Sequence, residues 1–522
     1  MLSKISSIRL ISVALIICSI LFISSYLIHI DQQKTLQFEL DTQRAKEILI
    51  QQQQEEHLKS IELENQRLLQ IEQNKTIHEP VITSQDEDMD ELIKKYFIAV
   101  PTPIDPWTNT TLELFQSPLG AQLKADLFTI DEDIPNFKAL TVRERVFKAL
   151  YQYLDDGHTD DTTIWDLYTS LEDVLYPWIK PHWKHVFDIN KNQQGRGIVM
   201  CVGNDYFGHA VTAITAIRNV LDSDLPIEIF YIDEYDLSED KRNYFDSLDK
   251  VSTRPLVNAI NDQYTQFGGW AMKPYAILAS RFSEVLLMDA DVFLFQKPDV
   301  LFEDAGYQTT GALFFLDRTL FPNWDVGRQW MNSFLPTKSS YVKESRWYLD
   351  TSAHEQESGI VVIDKRKALF GLLSTCKMND KNERDKVAYE RIHGDKETFW
   401  VGFEMVQTPY TFVRSYGAVI GGLGDAGNKD TVCGNQLHLD ANQKPLWWNG
   451  GILRDKNRWS DRYLKFTHYA QGEDWQFETS CIKNKDKISK LSSKEQKLGA
   501  LYIEIDKKRR NGELSTLLDE EE

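Results

Sequence analysis

Two carboxylates one residue apart, Asp289 and Asp291, interrupt an otherwise apolar run: VLLM precedes them and VFLF follows, within GGWAMKPYAILASRFSEVLLMDADVFLFQKPD, residues 268–299. Side chains alternate faces along a strand, so the pair is expected to project to one side at the end of a buried strand. Two charges in such a place are costly to desolvate unless something positive sits between them. A hard divalent cation holding a diphosphate meets that need with oxygen ligands alone. The same spacing at Asp86/Asp88, Asp88/Asp90 and Asp131/Asp133 lies in polar surroundings, where solvated carboxylates are the natural reading.

The flanking sequence says what must position the pair. Residues 195–203 (GRGIVMCVG) read as turn, buried strand, turn, and 207–221 carry helical periodicity. A second strand at 226–233 (PIEIFYID) ends on Asp233; a helix at 237–248 and a third strand at 250–257 follow, and a helix at 270–281 feeds the strand of Asp289. Such alternation predicts an α/β fold with a doubly wound, mostly parallel sheet. Ligands of these sheets bind at the carboxyl ends of the strands, where Gly203, Asp233 and Asp289/Asp291 should gather. Gly421-Gly422-Leu423-Gly424 matches neither a P-loop nor a dinucleotide fingerprint, so a Rossmann oxidoreductase has little support.

Composition bounds the rest. The 522 residues are 42% hydrophobic and 11% aromatic, enough for one large or two ordinary domains with a substantial core. A net charge of −20 argues against a nucleic-acid partner. The five cysteines, Cys18, Cys201, Cys376, Cys433 and Cys481, form no CxxC pair, and pairing among the last four is left open.

Residues 10–30 (LISVALIICSILFISSYLIHI), behind a 1–9 tail, carry no charge apart from His29. At about 1.5 Å per residue they match a bilayer core of roughly 30 Å. Lys4 and Arg9 put the short N-terminus in the cytosol, although Lys34 and Arg44 follow closely. The run lacks a small-residue cleavage site, which favours an uncleaved signal-anchor over a signal peptide. Sequons at Asn74 and Asn109 agree with a lumenal chain of the secretory pathway. Residues 31–91 read as a helical stem: no Gly or Pro occurs between 33 and 79, and Pro80 and the acidic 86–91 run end it. A heptad from Leu36 puts Gln43, Glu47 and Glu64 at core positions, so a solvated stem is favoured over a coil making a homodimer or complex. Residues 92–194 read as a helical lead-in packed on a catalytic domain of 195–480, and 481–522 as a charged C-terminal extension.

The blocks GWAMKPYAILASRFSEVLLMDADVFLFQKPDVLFED, TTGALFFLDR, QESGIVVIDK and HGDKETFWVGFEM together resemble the fungal family of Golgi α-mannosyltransferases that includes the α-1,3-mannosyltransferases. The resemblance runs from about 195 to 472, and the anchor and stem fit that family's type II layout. It implies a GT-A-like fold, a retaining transfer from GDP-mannose, Mn2+ (or Mg2+) as cofactor, a Golgi membrane location and mannosylated glycoprotein acceptors. Carried onto this sequence, Asp291 becomes the principal metal ligand, with Asp289 touching metal-bound water or the ribose, and Lys273 pairs with the donor beside Asp233. CGNQLHLDANQKPLW, residues 433–447, is similar to a region of related metal-dependent glycosyltransferases. There His438 would complete the metal site and Lys444 would grip the diphosphate, with His468 competing for the ligand role. Glu357, Asp395 and Glu397 are the acceptor and reaction-centre candidates, against the plainer reading of Asp395 as a cap on a 398–404 helix. No nucleophile is assigned. Trp324, Trp347, Trp400, Trp447 and Trp448 could stack on sugars, with core packing the default.

Two rivals use the same residues. A strand ending in DADV also suits an aspartyl-nucleophile phosphatase, but that fold normally begins at this strand, whereas here strand–helix alternation precedes it. A stem-dimerised Golgi scaffold or sugar-binding protein would keep the site without turnover. Within the family, α-1,2 linkage is the alternative to α-1,3.

Overall fold

The computed structural model describes residues 134–514 apart from 336, 337, 414, 426, 457, 460, 477 and 478. The anchor at 10–30, the stem, both sequons and the first part of the lead-in lie outside the described residues. Among the described residues no helix is long and apolar enough to cross a membrane.

Two helices come first. α1 (Phe137–Asp155) starts at Asn136, whose side chain accepts from the Ala139 amide, and α2 (Thr162–Leu175) starts at Asp161 in the same manner. The chain then runs β1 (Arg196–Cys201), α3 (Phe207–Asn219), β2 (Ile227–Tyr231), α4 (Glu239–Asp246), β3 (Val251–Pro255), α5 (Lys273–Ala279) and β4 (Glu284–Met288). β2 and β4 are buried nearly throughout, as parallel strands covered on both faces must be. β5 (Phe293–Leu294), β6 (Ala312–Leu316), β7 (Gln356–Asp364), α6 (Lys365–Met378), α7 (Lys396–Met405) and β8 (Thr411–Val413) follow.

Seven of these strands form one sheet in the order β3-β2-β1-β4-β7-β6-β8. The first four are mutually parallel, but β7 runs antiparallel to both β4 and β6. β6 and β8 run in the same direction as the first four, so the sheet is mixed but mostly parallel, as strand–helix alternation implied; β7, reached through the long 317–355 excursion, is the one reversed strand of the seven. The reversal matters for the site. An antiparallel neighbour brings its first residues, not its last, to the carboxyl end of β4. Met288 thus sits opposite Ile360, the Asp289 amide donates to the Gly359 carbonyl at 2.9 Å, and Glu357 stands beside the Asp-x-Asp turn.

A second sheet was not foreseen. β9 (Ala418–Leu423), β10 (Thr431–Leu439), β11 (Pro445–Asn449), β12 (His468–Ala470), β13 (Trp475–Gln476), β14 (Cys481–Lys483) and β15 (Ile488–Lys490) pair antiparallel, and β5 joins them through β11. The chain leaving Asp291 thus passes from the end of the first sheet directly into the second. A disulfide between Cys433 and Cys481, with Cα atoms 4.1 Å apart, ties β10 to β14, while Cys201 and Cys376 are free thiols. Residues 481–514 of the charged C-terminal extension consequently pack into the fold. α8 (Ser493–Asn511) opens with a capping box between Ser492 and Glu495 and buries Tyr502, whose hydroxyl donates to the Leu294 carbonyl at 2.6 Å.

α6 and α7 share the apolar core on one face of the first sheet with α1, α2 and α5. Lys148 of α1 donates to the Val406 carbonyl at 2.8 Å and Arg145 to the Met405 carbonyl at 2.6 Å, placing two cations at the C-terminal end of α7. The N-terminal end of α7, which carries Asp395 and Lys396, is thereby braced from behind.

Candidate active site

At the carboxyl end of β4 the apolar run stops and the chain turns through Asp289-Ala290-Asp291. Both carboxylates line a cleft of about 470 Å³ together with Lys273, Glu357 and Asp395. Each is met by an ammonium: Lys273 Nζ lies 2.8 Å from Asp289 Oδ1, and Lys456 Nζ lies 2.5 Å from Asp291 Oδ2. Burial pushes the Asp289 carboxyl up to about 7, against the pull of Lys273 and with the push of Asp291. Burial alone would lower Lys273, but Asp289 and Asp395 outweigh it and raise its affinity for the proton.

Lys273 bridges two elements. It is the first residue of α5, and its Nζ also lies 3.7 Å from Asp395 Oδ2 at the start of α7. That Oδ2 is buried with no hydrogen-bond partner, and the Asp395 side chain makes no cap bond to its helix. Asp395 is the N-cap residue by position but makes no capping bond, and its side chain lines the cleft. Glu357 is anchored by the Gly359 amide at 2.9 Å and by Asn449 Nδ2 at 3.0 Å, both on Oε1. Burial, with Asp317 nearby, raises its affinity for the proton. Gly359 has a steric reason: a Cβ there would lie 3.0 Å from Asn449 Nδ2 and 3.1 Å from the Trp447 ring.

The opposite wall comes from the second sheet. Asn435 of β10 donates through Nδ2 to the carbonyls of Gly450, Gly451 and Leu453, which fixes the loop after β11. The Gly451 amide donates to the Asp291 carbonyl at 2.7 Å, so that loop is also tied to the Asp-x-Asp turn. It delivers Arg454, Lys456 and Arg458 to the cleft. His209 of α3 packs against the same glycine: a Cβ on Gly451 would lie 3.7 Å from the His209 ring and 3.9 Å from Asp291 Cβ.

Residues 195–440 match the family model Mannosyl_trans3, described as “Mannosyltransferase putative”. The match covers a little under half of the chain, and what it shows is a likeness to that family over this region. The “Putative alpha-1,3-mannosyltransferase MNN1” of Candida albicans is 28% identical over 350 residues, covering 58% of this chain and 42% of the relative. The alpha-1,3-mannosyltransferase MNN1 of Saccharomyces cerevisiae is 25% identical over 359 residues, 58% of this chain and 46% of that one. The chain thus spans about half the length of these curated relatives. Among solved structures, core-mannan synthase A from Aspergillus fumigatus in its Mn/GDP form aligns at a TM-score of 0.29 and 11% identity, over 44% of this chain and 78% of that one, a likeness too slight to build on.

The residues chosen from sequence divide sharply. Asp289, Asp291, Lys273, Glu357 and Asp395 meet in one cleft. His438 does not join them. It is fully buried in β10, stacked on Trp447 at 3.9 Å and edge-on to Phe315, and burial drives its pKa down to about 3. It is a core histidine, because strand alternation turns it to the face opposite Asn435. His468 lies on β12, also outside the lining of the cleft. Lys444 is exposed in the β10–β11 turn, where its amide donates to Asp440, and it too is absent from the lining. Asp233 accepts from the amides of Tyr235 and Asp236 at 2.9 and 3.1 Å, so it shapes its own turn and does not line the cleft. Glu397 is fully buried behind the cleft; it accepts from the amides of Glu355 and Gln356 and from the Trp400 indole, and burial raises its pKa to about 8. It is structural. Trp347, Trp400, Trp447 and Trp448 are core residues, and Trp324 is exposed outside the cleft.

Lys456 and Trp270 were missed. Lys456 had one signal: a Gly450-Gly451 turn directly after a strand, followed by Arg454 and Lys456. Trp270 had only its place three residues before Lys273.

The fit to a metal follows from the ligand types. Among the described residues no three His, Cys, Asp or Glu side chains group as a closed metal site. The two carboxylates of the Asp-x-Asp turn, in a cleft whose lining includes Lys456, Arg454 and Arg458, do fit a hard cation that takes its remaining ligands from phosphate oxygens and water.

Proposed function

We infer that the chain transfers mannose from GDP-mannose to mannose-terminated N- or O-linked glycans of glycoproteins, forming α-1,3 linkages with retention of configuration. It does so as a type II Golgi membrane protein with its catalytic region in the lumen. The observation that carries this reading is the polarity of the cleft in a region that matches the mannosyltransferase family. Lys456 meets Asp291, with Arg454 and Arg458 lining the cleft from the same loop, while Lys273 spans Asp289 and Asp395 and Glu357 lines the same cleft.

A nucleoside diphosphate that departs with the electron pair of the broken C–O bond gains a negative charge on its terminal phosphate and needs positive charge there, and Lys456, Arg454 and Arg458 supply it from the loop after β11. Asp289 and Asp291 would hold Mn2+ or Mg2+, which when bound neutralises charge on the departing diphosphate. Lys273 lies between Asp289 and Asp395 and offsets the repulsion between the two carboxylates. The sugar carbon gains positive character as the bond to phosphate breaks, and the free Oδ2 of Asp395 and the Glu357 carboxylate are the nearest anions to stabilise it. Asp395 also has the open acceptor position that an incoming hydroxyl needs for its hydrogen bond.

The test is to incubate the purified full-length chain with GDP-mannose, Mn2+ and mannobiose and determine the new linkage. An α-1,3 product is expected. An α-1,2 product would move the linkage within the family, and GDP binding with no transfer to any mannoside would favour a scaffold. Aryl-phosphate hydrolysis abolished by Asp289→Asn would revive the phosphatase. Full activity in excess EDTA, or in Asp291→Ala, would overturn the metal role.

A further inference from the structure

Trp270 is 53% exposed, and it is the exposed tryptophan that lines the cleft. A large apolar ring left open to water in a pocket lined mainly by charged and polar side chains calls for a ligand with an apolar face. The local sequence holds the ring in place. Gly394 adopts φ +69°, and a Cβ there would lie 2.7 Å from Trp270 Cε3, so the indole rests against bare backbone. The His393 ring stands 5.5 Å away and borders the same cleft. Trp270 itself sits in the single turn, Gly269–Met272, that leads into Lys273.

These contacts order the cleft from end to end. Lys456 meets Asp291; Asp289 meets Lys273; Lys273 reaches Asp395; and Asp395 follows Gly394, on which Trp270 lies. One end is cationic around the Asp-x-Asp turn, and the other is aromatic. Of the cations nearer the aromatic end, Lys396 is held by Asp317 at 2.6 Å, and Arg318 lies beside the same carboxylate. A neutral ligand suits that end, whereas a diphosphate suits the other.

We propose that the Trp270 indole, flanked by His393, is the platform on which the terminal pyranose of the acceptor stacks, presenting its hydroxyl to Asp395. This rests on the glycosyl-transfer reading and adds where the acceptor lies. A pyranose offers a patch of C–H groups on one face and hydroxyls at its rim. The indole takes the face, and the Asp395 Oδ2, which lacks a hydrogen-bond donor, takes a rim hydroxyl. Guanine of the donor is the other flat ligand of the reaction, and its diphosphate ties it to the cationic end.

The experiment measures α-mannobiose and GDP binding separately, by ligand-observed NMR and calorimetry on the full-length chain, for wild type, Trp270→Ala and Trp270→Phe. Trp270→Ala is expected to weaken mannobiose about tenfold, to leave GDP within about twofold and to raise the acceptor KM in parallel; Trp270→Phe recovers most of the loss. Because the side chain is half in solvent, an unchanged melting temperature is expected and confirms that the fold is intact. Weakened GDP binding with unchanged mannobiose would overturn the proposal in favour of base stacking. Unchanged binding of both ligands, or no mannobiose binding by wild type, would overturn it outright. Loss of mannobiose binding in Trp270→Ala alongside a failure of wild type to transfer mannose would leave the subsite standing and sink the transfer reading alone.

Discussion

Asp395 and Glu397 stand two residues apart in one short block, HGDKETFW, and both are at most 3% exposed. Their surroundings differ in one respect. Glu397 accepts from two backbone amides and an indole, all supplied by the fold. Asp395 keeps an oxygen with no donor at the wall of the cleft, 3.7 Å from Lys273. A buried polar atom without a partner is unfavourable by itself, so its persistence at a cleft marks a place where substrate supplies the missing bond. Position at the cleft is part of that criterion. His438 also has unpartnered ring nitrogens, but aromatic rings enclose it and burial keeps it neutral. Burial by itself distinguishes none of the three.

The contrast can be broken by substitution, and the largest effect is expected at the cleft. Asp395→Asn should lower kcat by about 10²–10³-fold with little change in thermal stability, since its Oδ2 accepts no hydrogen bond from the fold and Lys273 keeps Asp289 as a partner. Initial rates with GDP-mannose and mannobiose, set beside a melting curve, check it; a large loss of stability would make Asp395 structural. Glu397→Ala should do the reverse. It leaves three donors buried and unpaired, and denaturant titration should show a loss of about 3 kcal/mol.

A gentler change sharpens the same point through pH. Glu397 has its pKa raised from 4.5 to about 8, so the folded chain holds a proton that the unfolded chain releases. Its contribution is full below 4.5 and is lost as pH climbs toward about 8. Glu397→Gln, which keeps the shape and cannot ionise, should flatten that part of the stability profile. A profile as steep as wild type would show that Glu397 is charged in the fold. The smallest effect is expected at His438. His438→Leu should leave Mn2+ affinity in the presence of GDP within about twofold of wild type, because a side chain in the core contributes no ligand. A tenfold loss would restore it to the metal site.

Much of the first sheet was legible. The apolar runs that became β1, β2 and β4 are bounded by turn residues, and the 3.6-residue spacing of α3 is plain in its sequence. The Asp-x-Asp turn was legible for the same local reason, since charges that interrupt a buried strand are conspicuous. The second sheet was not. Its strands are short and depend on partners far away in sequence: β5 pairs with β11, and Cys433 with Cys481. Lys444 and Lys456 show the limit most clearly. Both follow a β10-type run, and only the hairpin geometry puts one in solvent and the other on Asp291.

What the sequence by itself determined is the chemistry available: two carboxylates at a strand end, a lysine one helix earlier, and an acidic block that resembles a mannosyltransferase motif. These are properties of residue type and short spacing. Tertiary structure alone decided which of them meet. A one-residue step along a strand sends a side chain to the opposite face, so Asn435 reaches the cleft while His438, three residues on, lies on the other face against Phe315 and Trp447. The direction of β7 brings Glu357 beside Asp289, and the glycine at 394 leaves room for Trp270. Local sequence sets the strength of each group, and chain packing sets its partners, because contacts between distant segments are settled by burial of the whole.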